Sequence, residues 1–292
     1  MTVVTEAPTE EALHVIDGIG LSEGHANVTD DIIVANINHA IRLGHPQVWG
    51  QPVNADRVVL VGGGPSLAKT LPELRELYFE GAKVVTVNGA YSWCIERNIR
   101  PSCQILVDAR SSNARFVDPE VPQCRYYLAS QCHPDTWARV AGREHVAIFH
   151  SLGPDGEDTD AKLALEHYYL GNWQGIAGGT TVTSRAIGLL RALGFLRFDL
   201  FGVDSCYLDG QHHAYDQPEN ARDTRVTVEA APSGHDDMAR RFECAPWHLK
   251  QLEDFLRFIK FNGDKFLLNV HGDGLLAHAL QTNAAVSVLE ES

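Results

Sequence analysis

No stretch of this 292-residue chain approaches the roughly 18 consecutive apolar residues that a membrane-spanning helix needs. The opening segment, MTVVTEAPTEEALHV, lacks a basic region followed by an apolar one, so a secretory leader is not expected. Cysteine is thinly scattered. Cys94, Cys103, Cys124, Cys132, Cys206 and Cys244 form no C-x-x-C pair, which removes the commonest zinc and dithiol signatures. Isolated cysteines on apolar segments read as reduced core thiols, and the expected setting is cytoplasmic. Positive charge is also short, with 24 Lys+Arg against 38 Asp+Glu and a net charge of -14. A broad basic surface for general nucleic-acid binding is thereby excluded. There is no internal repeat and no low-complexity block.

What is present is the composition of an ordinary globular protein, 44% hydrophobic and 21% charged. The length suits one large α/β domain with appendages. The expected division is an acidic N-terminal tail and helix over 1–52, then a Rossmann-like domain over 53–292. Within the first part, residues 1 to about 24 read as a tail. Ile32, Ile33, Ile37, Ala40 and Ile41 recur at helical spacing behind Thr29, and predict a helix that ends at Gly44-His45-Pro46.

From Arg57 the pattern alternates. Strands are expected at 57–62, 83–88 and 103–108, with helices at 65–80 and 89–97 between them. This βαβαβ order favours a doubly wound, mainly parallel sheet with helices on both faces. Shorter strands are expected at 125–129 and 145–149, with a helix opening at Pro134. A turn-rich polar loop covers 151–160. A helix after Thr181 ends near Gly194, and a strand at 197–203 closes on Asp204. The segment from Asp209 to about Asp237 reads as a long polar loop. A helix at 246–261, a strand at 265–270 and a helix at 274–282 complete the chain.

The densest signal is RVVLVGGGPSL, Arg57 to Leu67. A buried strand running through Gly62, Gly63, Gly64, Pro65 and Ser66 into a helix can offer backbone amides and a helix N-terminus to a phosphate. No G-K-[ST] follows, so it is not a Walker A loop. Leu67 replaces the third glycine of a dinucleotide fingerprint, and Asn88 stands where a ribose-binding acid belongs. A plain tight turn remains the bland alternative. Asn88-Gly89, Asp108 and Asp204 end three other expected strands. In a parallel sheet they share one edge with the glycine turn, where carboxylates can hold Mg²⁺ between phosphates. Gly178, Gly179, Thr180 and Thr181 open a second helix by the same logic, or cap it. His212, His213 and His235 lie in the long polar segment beside Tyr215 and Asp216, and offer candidate bases. His271 and Asp273 end the last strand.

Taken together, these stretches resemble the MptE-like 6-hydroxymethylpterin diphosphokinase family over about residues 57–280. The resemblance rests on G-G-G-P-S-L, V-N-G at Asn88, Asp108, G-G-T-T at 178–181, G-V-D-S-C-Y at 202–207 and V-H-G-D-G at 270–274. The family shares its domain with motility accessory factor glycosyltransferases. More distantly the chain is similar to bacterial CMP-sugar sialyltransferases, through the same loop, Asn88 and the run His213-Ala214-Tyr215-Asp216.

The resemblance implies a transferase with a nucleotide co-substrate and a small-molecule acceptor. Neither membrane nor general nucleic-acid partners are implied, and a homo-oligomer is compatible. In a diphosphokinase, ATP would give diphosphate to a hydroxymethyl acceptor with Mg²⁺. Gly62 to Ser66 and Gly178 to Thr181 would hold phosphates, while Asp108 and Asp204 would bind metal or orient the acceptor. In a glycosyltransferase using a CMP- or UDP-sugar, Asn88 and Gly89, with Tyr215 and His271, would contact the donor. Asp204, His213 or His235 would then act in catalysis. A nucleotide-binding protein without catalysis is the third possibility.

Overall fold

The computed structural model describes residues 28–152, 159–217, 223–232, 238–262 and 266–289. The expected N-terminal tail and His235 lie outside them. In chain order the elements begin with α1 (Asp30–Ile41), β1 (Arg57–Val61), α2 (Leu67–Phe79), β2 (Lys83–Val87), α3 (Ala90–Glu96) and β3 (Cys103–Leu106). A 3₁₀ helix (Ser111–Val117) leads to β4 (Arg125–Ala129), α4 (Pro134–Arg139), β5 (Val146–Leu152), α5 (Thr159–Tyr169), β6 (Gly175–Ala177) and α6 (Val182–Ala192). The chain closes through β7 (Arg197–Phe201), β8 (Val226–Pro232), β9 (Arg240–Cys244), α7 (Pro246–Asn262), β10 (Leu267–His271), α8 (Leu275–Thr282) and β11 (Ala284–Val288).

These elements fall into two compact units. Among the described residues, the first takes 56–82 and those from 196 onward; the second takes 28–55 and those from 83 to 195. Both have the parallel α/β construction expected from the alternating pattern. In the first unit, β7 lies between β1 and β10, and all three are parallel. Val58 to Val61 are fully buried, as a strand covered on both faces must be, and that is why the segment reads as an unbroken apolar run. At about 1.5–3 kcal/mol for each large apolar side chain buried, this strand anchors the unit. A small antiparallel sheet, ordered β11-β8-β9, belongs to the same unit.

The second unit carries β2-β3-β4-β5-β6, parallel throughout. Helix α1 packs there against α5 and α4. Asn36, buried on α1, donates to the carbonyls of Ala109 and Gln131 at 3.2 and 3.1 Å. Gly188 lets α6 press on the carbonyl of Ala177 at the end of β6. Among the described residues, no helix is long and apolar enough to cross a membrane. All six cysteines are buried and unpaired.

The long loop expected over 209–237 is in part a strand, β8, and the region that follows holds β9. In β8 buried and more exposed positions alternate, the pattern of an antiparallel strand with one wet face. Its sequence, VTVEAAP, mixes small and polar residues among two valines and does not stand out from a loop. Four more elements escape the apolar pattern: the 3₁₀ helix, α5 with its weak amphipathic stripe, the three-residue β6 and β11.

Candidate active site

In the first unit the three parallel strands end in register. Val61 is level with Phe201, and Phe201 with His271. The residues that follow, Gly62, Gly202 and Gly272, therefore begin three turns at one carboxyl edge, where open α/β sheets receive ligands. The amide of Gly62 donates to Phe201 O at 2.8 Å and that of Gly64 to Gly202 O at 2.7 Å. A methyl group on Gly64 would overlap the Asp204 carboxylate, and one on Gly63 would overlap His213 and the Tyr215 hydroxyl. The glycines are thus required by close approach within the protein itself.

Asp204 is the centre of this edge. It is 4% exposed, and its Oδ2 accepts from the Ser66 amide at 3.0 Å. Its own carbonyl accepts from the amide of Leu276 at 3.1 Å. The Gly272–Gly274 turn closes over it from the other side, with Gly274 so near that a Cβ there would overlap Asp204. Burial pushes the Asp204 carboxyl up to about 6, against the pull of the Ser66 hydrogen bonds. Outside it, Lys69 Nζ reaches Asp273 Oδ2 at 3.3 Å, both largely exposed. Arg240 donates to the Asp273 carbonyl at 3.3 Å.

The turn expected to cradle a phosphate has several of its amides bonded within the protein. A helix N-terminus attracts an anion, and at α2 the protein supplies that anion as Asp204. The amides of Gly62, Gly64 and Ser66 already have acceptors, and Pro65 has none to give. The outer side of the turn carries Gly63 and the exposed Lys69.

A strap crosses that outer side. The amide of Ala214 donates to Gly63 O at 2.9 Å, with His213 and Tyr215 flanking the glycine. Ring contacts continue from His213 to His212 at 4.6 Å and to Tyr215 at 5.4 Å. They extend to Trp247, which lies 3.7 Å from His248. His248 is buried, and its Nδ1 accepts from the Ala245 amide at 3.0 Å. Burial, then the neighbouring His213 and His212, depress it to about 3, so it stays neutral. Trp247 Nε1 donates to Asp223 Oδ2 at 2.6 Å.

His271 was expected to contact the donor, yet both of its ring nitrogens are engaged. Nδ1 lies 2.7 Å from Glu73 Oε2 and Nε2 lies 2.9 Å from Asp199 Oδ1. Asp199 is 1% exposed; it also accepts from Arg57 Nη2 at 2.6 Å and Asn269 Nδ2 at 3.2 Å. Burial would raise the Asp199 pKa, but His271, Arg57 and Asn269 together hold it below the usual value.

The other predicted residues belong to the second unit. Asn88 follows β2 with φ of 45°. Its carbonyl accepts from Gln104 Nε2 at 3.0 Å, while its buried Oδ1 has no hydrogen-bond partner among the described residues. Gly89 opens α3. Asp108 is gripped by Arg110, whose Nε lies 3.0 Å from each carboxylate oxygen and whose amide adds a bond of 2.9 Å. Gly178 packs on Arg185 of α6. Gly179 O accepts from Arg185 Nε at 3.0 Å, and the same guanidinium donates to Ser151 Oγ at 2.9 Å. Thr181 forms a capping box with Ser184, so capping accounts for this threonine; Thr180 precedes the cap.

The two carboxylates expected to bind Mg²⁺ do not fit it. Magnesium asks for open oxygen ligands in octahedral array. Both oxygens of Asp108 face Arg110, and Asp204 has Oδ2 committed to the Ser66 amide, which leaves one oxygen, enough for a proton and too few for a chelated cation. Among the described residues no group of three or more His, Cys, Asp or Glu side chains is arranged to hold a metal.

Sequence reasoning missed Lys69, Asp199, Glu73, Trp247 and His248. Lys69 carried a signal, a cation in the first turn of the helix after the glycines. Asp199 carried another, an acid inside an apolar strand, RFDLF.

The fold is a parallel α/β one with polar residues at the carboxyl ends of its strands. The family model for MptE-like 6-hydroxymethylpterin diphosphokinase matches residues 33–226, and the chain belongs to the MptE-like family. This membership places it among the transferases. Among solved structures, the MAf glycosyltransferase from Magnetospirillum magneticum AMB-1 matches 92% of this chain and 44% of its own length, with a TM-score of 0.59 and 14% identity. The chain thus spans less than half of that enzyme, and the likeness is one of fold. A mammalian sialyltransferase in complex with Gal-beta-1-3GalNAc-ortho-nitrophenol matches 87% of this chain and 92% of its own, with a TM-score of 0.41 and 12% identity. No curated protein matches the chain.

Proposed function

We propose that the protein transfers a group from a nucleotide donor to a hydroxyl acceptor at the carboxyl edge of its first unit. The observation that carries this is Asp204, a buried carboxyl with a raised pKa lodged between two glycine turns at the ends of parallel strands. Such a group titrates near the working pH and suits proton transfer. Donor phosphate sits on the outer side of the Gly62–Ser66 turn, where Lys69 exchanges its exposed partner Asp273 for phosphate oxygen. An exposed ion pair costs little to give up.

Family membership supports ATP as donor and a hydroxymethyl, pterin-like acceptor. The acceptor oxygen attacks the β-phosphorus and the bond from that phosphorus to the AMP oxygen breaks. The acceptor proton passes to the Asp204 carboxylate, and AMP leaves. Lys69 offsets charge on the transferred diphosphate. A second reading is glycosyl transfer from a nucleotide sugar, with His213 as the base. The poor fit of Asp108 and Asp204 to a metal favours it, because that reading asks for no metal-binding carboxylates.

The test is the thermal stability of the full chain with ATP, CMP, CDP and UDP, each with and without Mg²⁺. A ligand at a hundred times its dissociation constant adds about 2.7 kcal/mol. The proposal expects one nucleotide to raise the melting temperature and Lys69→Ala to remove most of that rise. An ATP response selects the first reading, and a metal-independent CMP or UDP response selects the second. No response to any nucleotide would overturn both.

A further inference from the structure

We infer that His271 is a positioning residue of the Asp204 site, a fixed imidazolium that ties β10 to α2 and so holds the Gly272–Gly274 turn against Asp204. The inference rests on the reading of Asp204 as the working carboxyl.

The argument starts from valence. An ionised carboxylate only accepts hydrogen bonds, and neutral imidazole has one N–H. His271 faces a carboxylate at each nitrogen, at 2.7 and 2.9 Å. Both nitrogens must donate, which makes the ring a cation. Its plane also stacks on Phe201 at 4.0 Å and 10°, so its orientation is fixed on a third side. The charged groups around it are Glu73 from α2, Asp199 from β7 and, behind Asp199, Arg57 from β1. Burial lowers the His271 pKa, but the hydrogen bonds it donates to Asp199 and Glu73 more than reverse this and leave it raised.

Deprotonation would break the two bonds unequally. Asp199 is buried and demands its donors, whereas Glu73 is largely exposed and can turn to water. The remaining proton therefore stays on Nε2, and the tie to Glu73 is lost. That tie joins α2, which begins beside Asp204 at Ser66, to β10, which runs straight into Gly272. Gly272 sits with φ of 124° against Ser66 and Asp204. Freed from α2, the turn can lift, and the amide of Leu276 loosens from the Asp204 carbonyl.

The experiment uses the full chain and Glu73→Gln, a change at an exposed position that keeps an acceptor for Nδ1 and removes its charge. Side-chain ¹⁵N spectra across pH report the state of His271. Hydrogen exchange at Leu276 reports the turn, and ATP and CMP affinities report the site. The wild type should show both nitrogens protonated at pH 7. Leu276 protection should fall at least tenfold as His271 titrates, and nucleotide affinity should weaken over the same range. In Glu73→Gln all three midpoints should move together to lower pH. A neutral His271 at pH 7, or Leu276 exchange and affinity indifferent to its titration, would overturn the inference. If neither nucleotide binds, the proposed function fails, while the spectra and exchange still decide whether His271 holds the turn.

Discussion

Replacing Asp204 with asparagine is expected to stabilise the protein above pH 6 and to leave it unchanged near pH 4. The carboxyl rises from the usual 3.8 to about 6 because it is buried. A group whose pKa is raised on folding contributes stability that is complete below its unfolded pKa and is lost as pH climbs through the folded one. For Asp204 the window lies between about 4 and about 6, and above it the folded protein carries a desolvated charge. A rise of about two pH units corresponds to about 3 kcal/mol. Asparagine keeps an oxygen to accept from the Ser66 amide without the charge. For cooperative unfolding of a chain of this length, about 3 kcal/mol moves the midpoint by about 5 °C. Calorimetry of the two proteins at pH 4 and pH 8 reads the difference directly. The variant should melt with the wild type at pH 4 and above it at pH 8. A variant that melts lower at pH 8, or higher by the same amount at both, would refute the assignment of a strained buried charge. Loss of turnover alongside the gain would mark the residue as one kept for function.

Three further substitutions separate structural roles from functional ones. Asp199→Ala removes the acceptor shared by Arg57, His271 and Asn269 and leaves two cations facing a void. Denaturant titration should show a loss of about 3–5 kcal/mol, whereas the exposed Lys69–Asp273 pair should cost under about 1 kcal/mol when Lys69 is truncated. Gly188→Ala should cost about 1–3 kcal/mol, since its methyl would meet the Ala177 carbonyl and push α6 off β6.

Most of the parallel framework was legible in the sequence because buried parallel strands are apolar throughout. VVLV, KVVTV and RYYLA could be mistaken for little else, and the glycines after the first two announced their turns. The antiparallel sheet was not legible. In VTVEAAP and AAVSV only alternate residues face a core, and small residues carry too weak an apolar signal to separate strand from loop. At the site, Asp204 and the glycine turn were visible as a pair, but their relation was not. The amides expected to meet a ligand instead meet Asp204 and the carbonyls of Phe201 and Gly202, because a parallel neighbour ends level with them. His271 looked like a free strand-end histidine because its two carboxylates come from distant segments, at Glu73 and Asp199. At Thr181 a helix cap is the alternative to a ligand contact, and the capping box with Ser184 realises it.

The central claim is that the outer side of the Gly62–Ser66 turn, with Asp204 and Lys69, receives a nucleotide. Backbone amide spectra of the full chain during titration with ATP, and separately with CMP, test it most directly. The account predicts saturable shifts centred on Gly63, Lys69 and the 272–276 turn for one of the two. Saturable shifts confined to residues away from that edge, or none with either nucleotide, would contradict it.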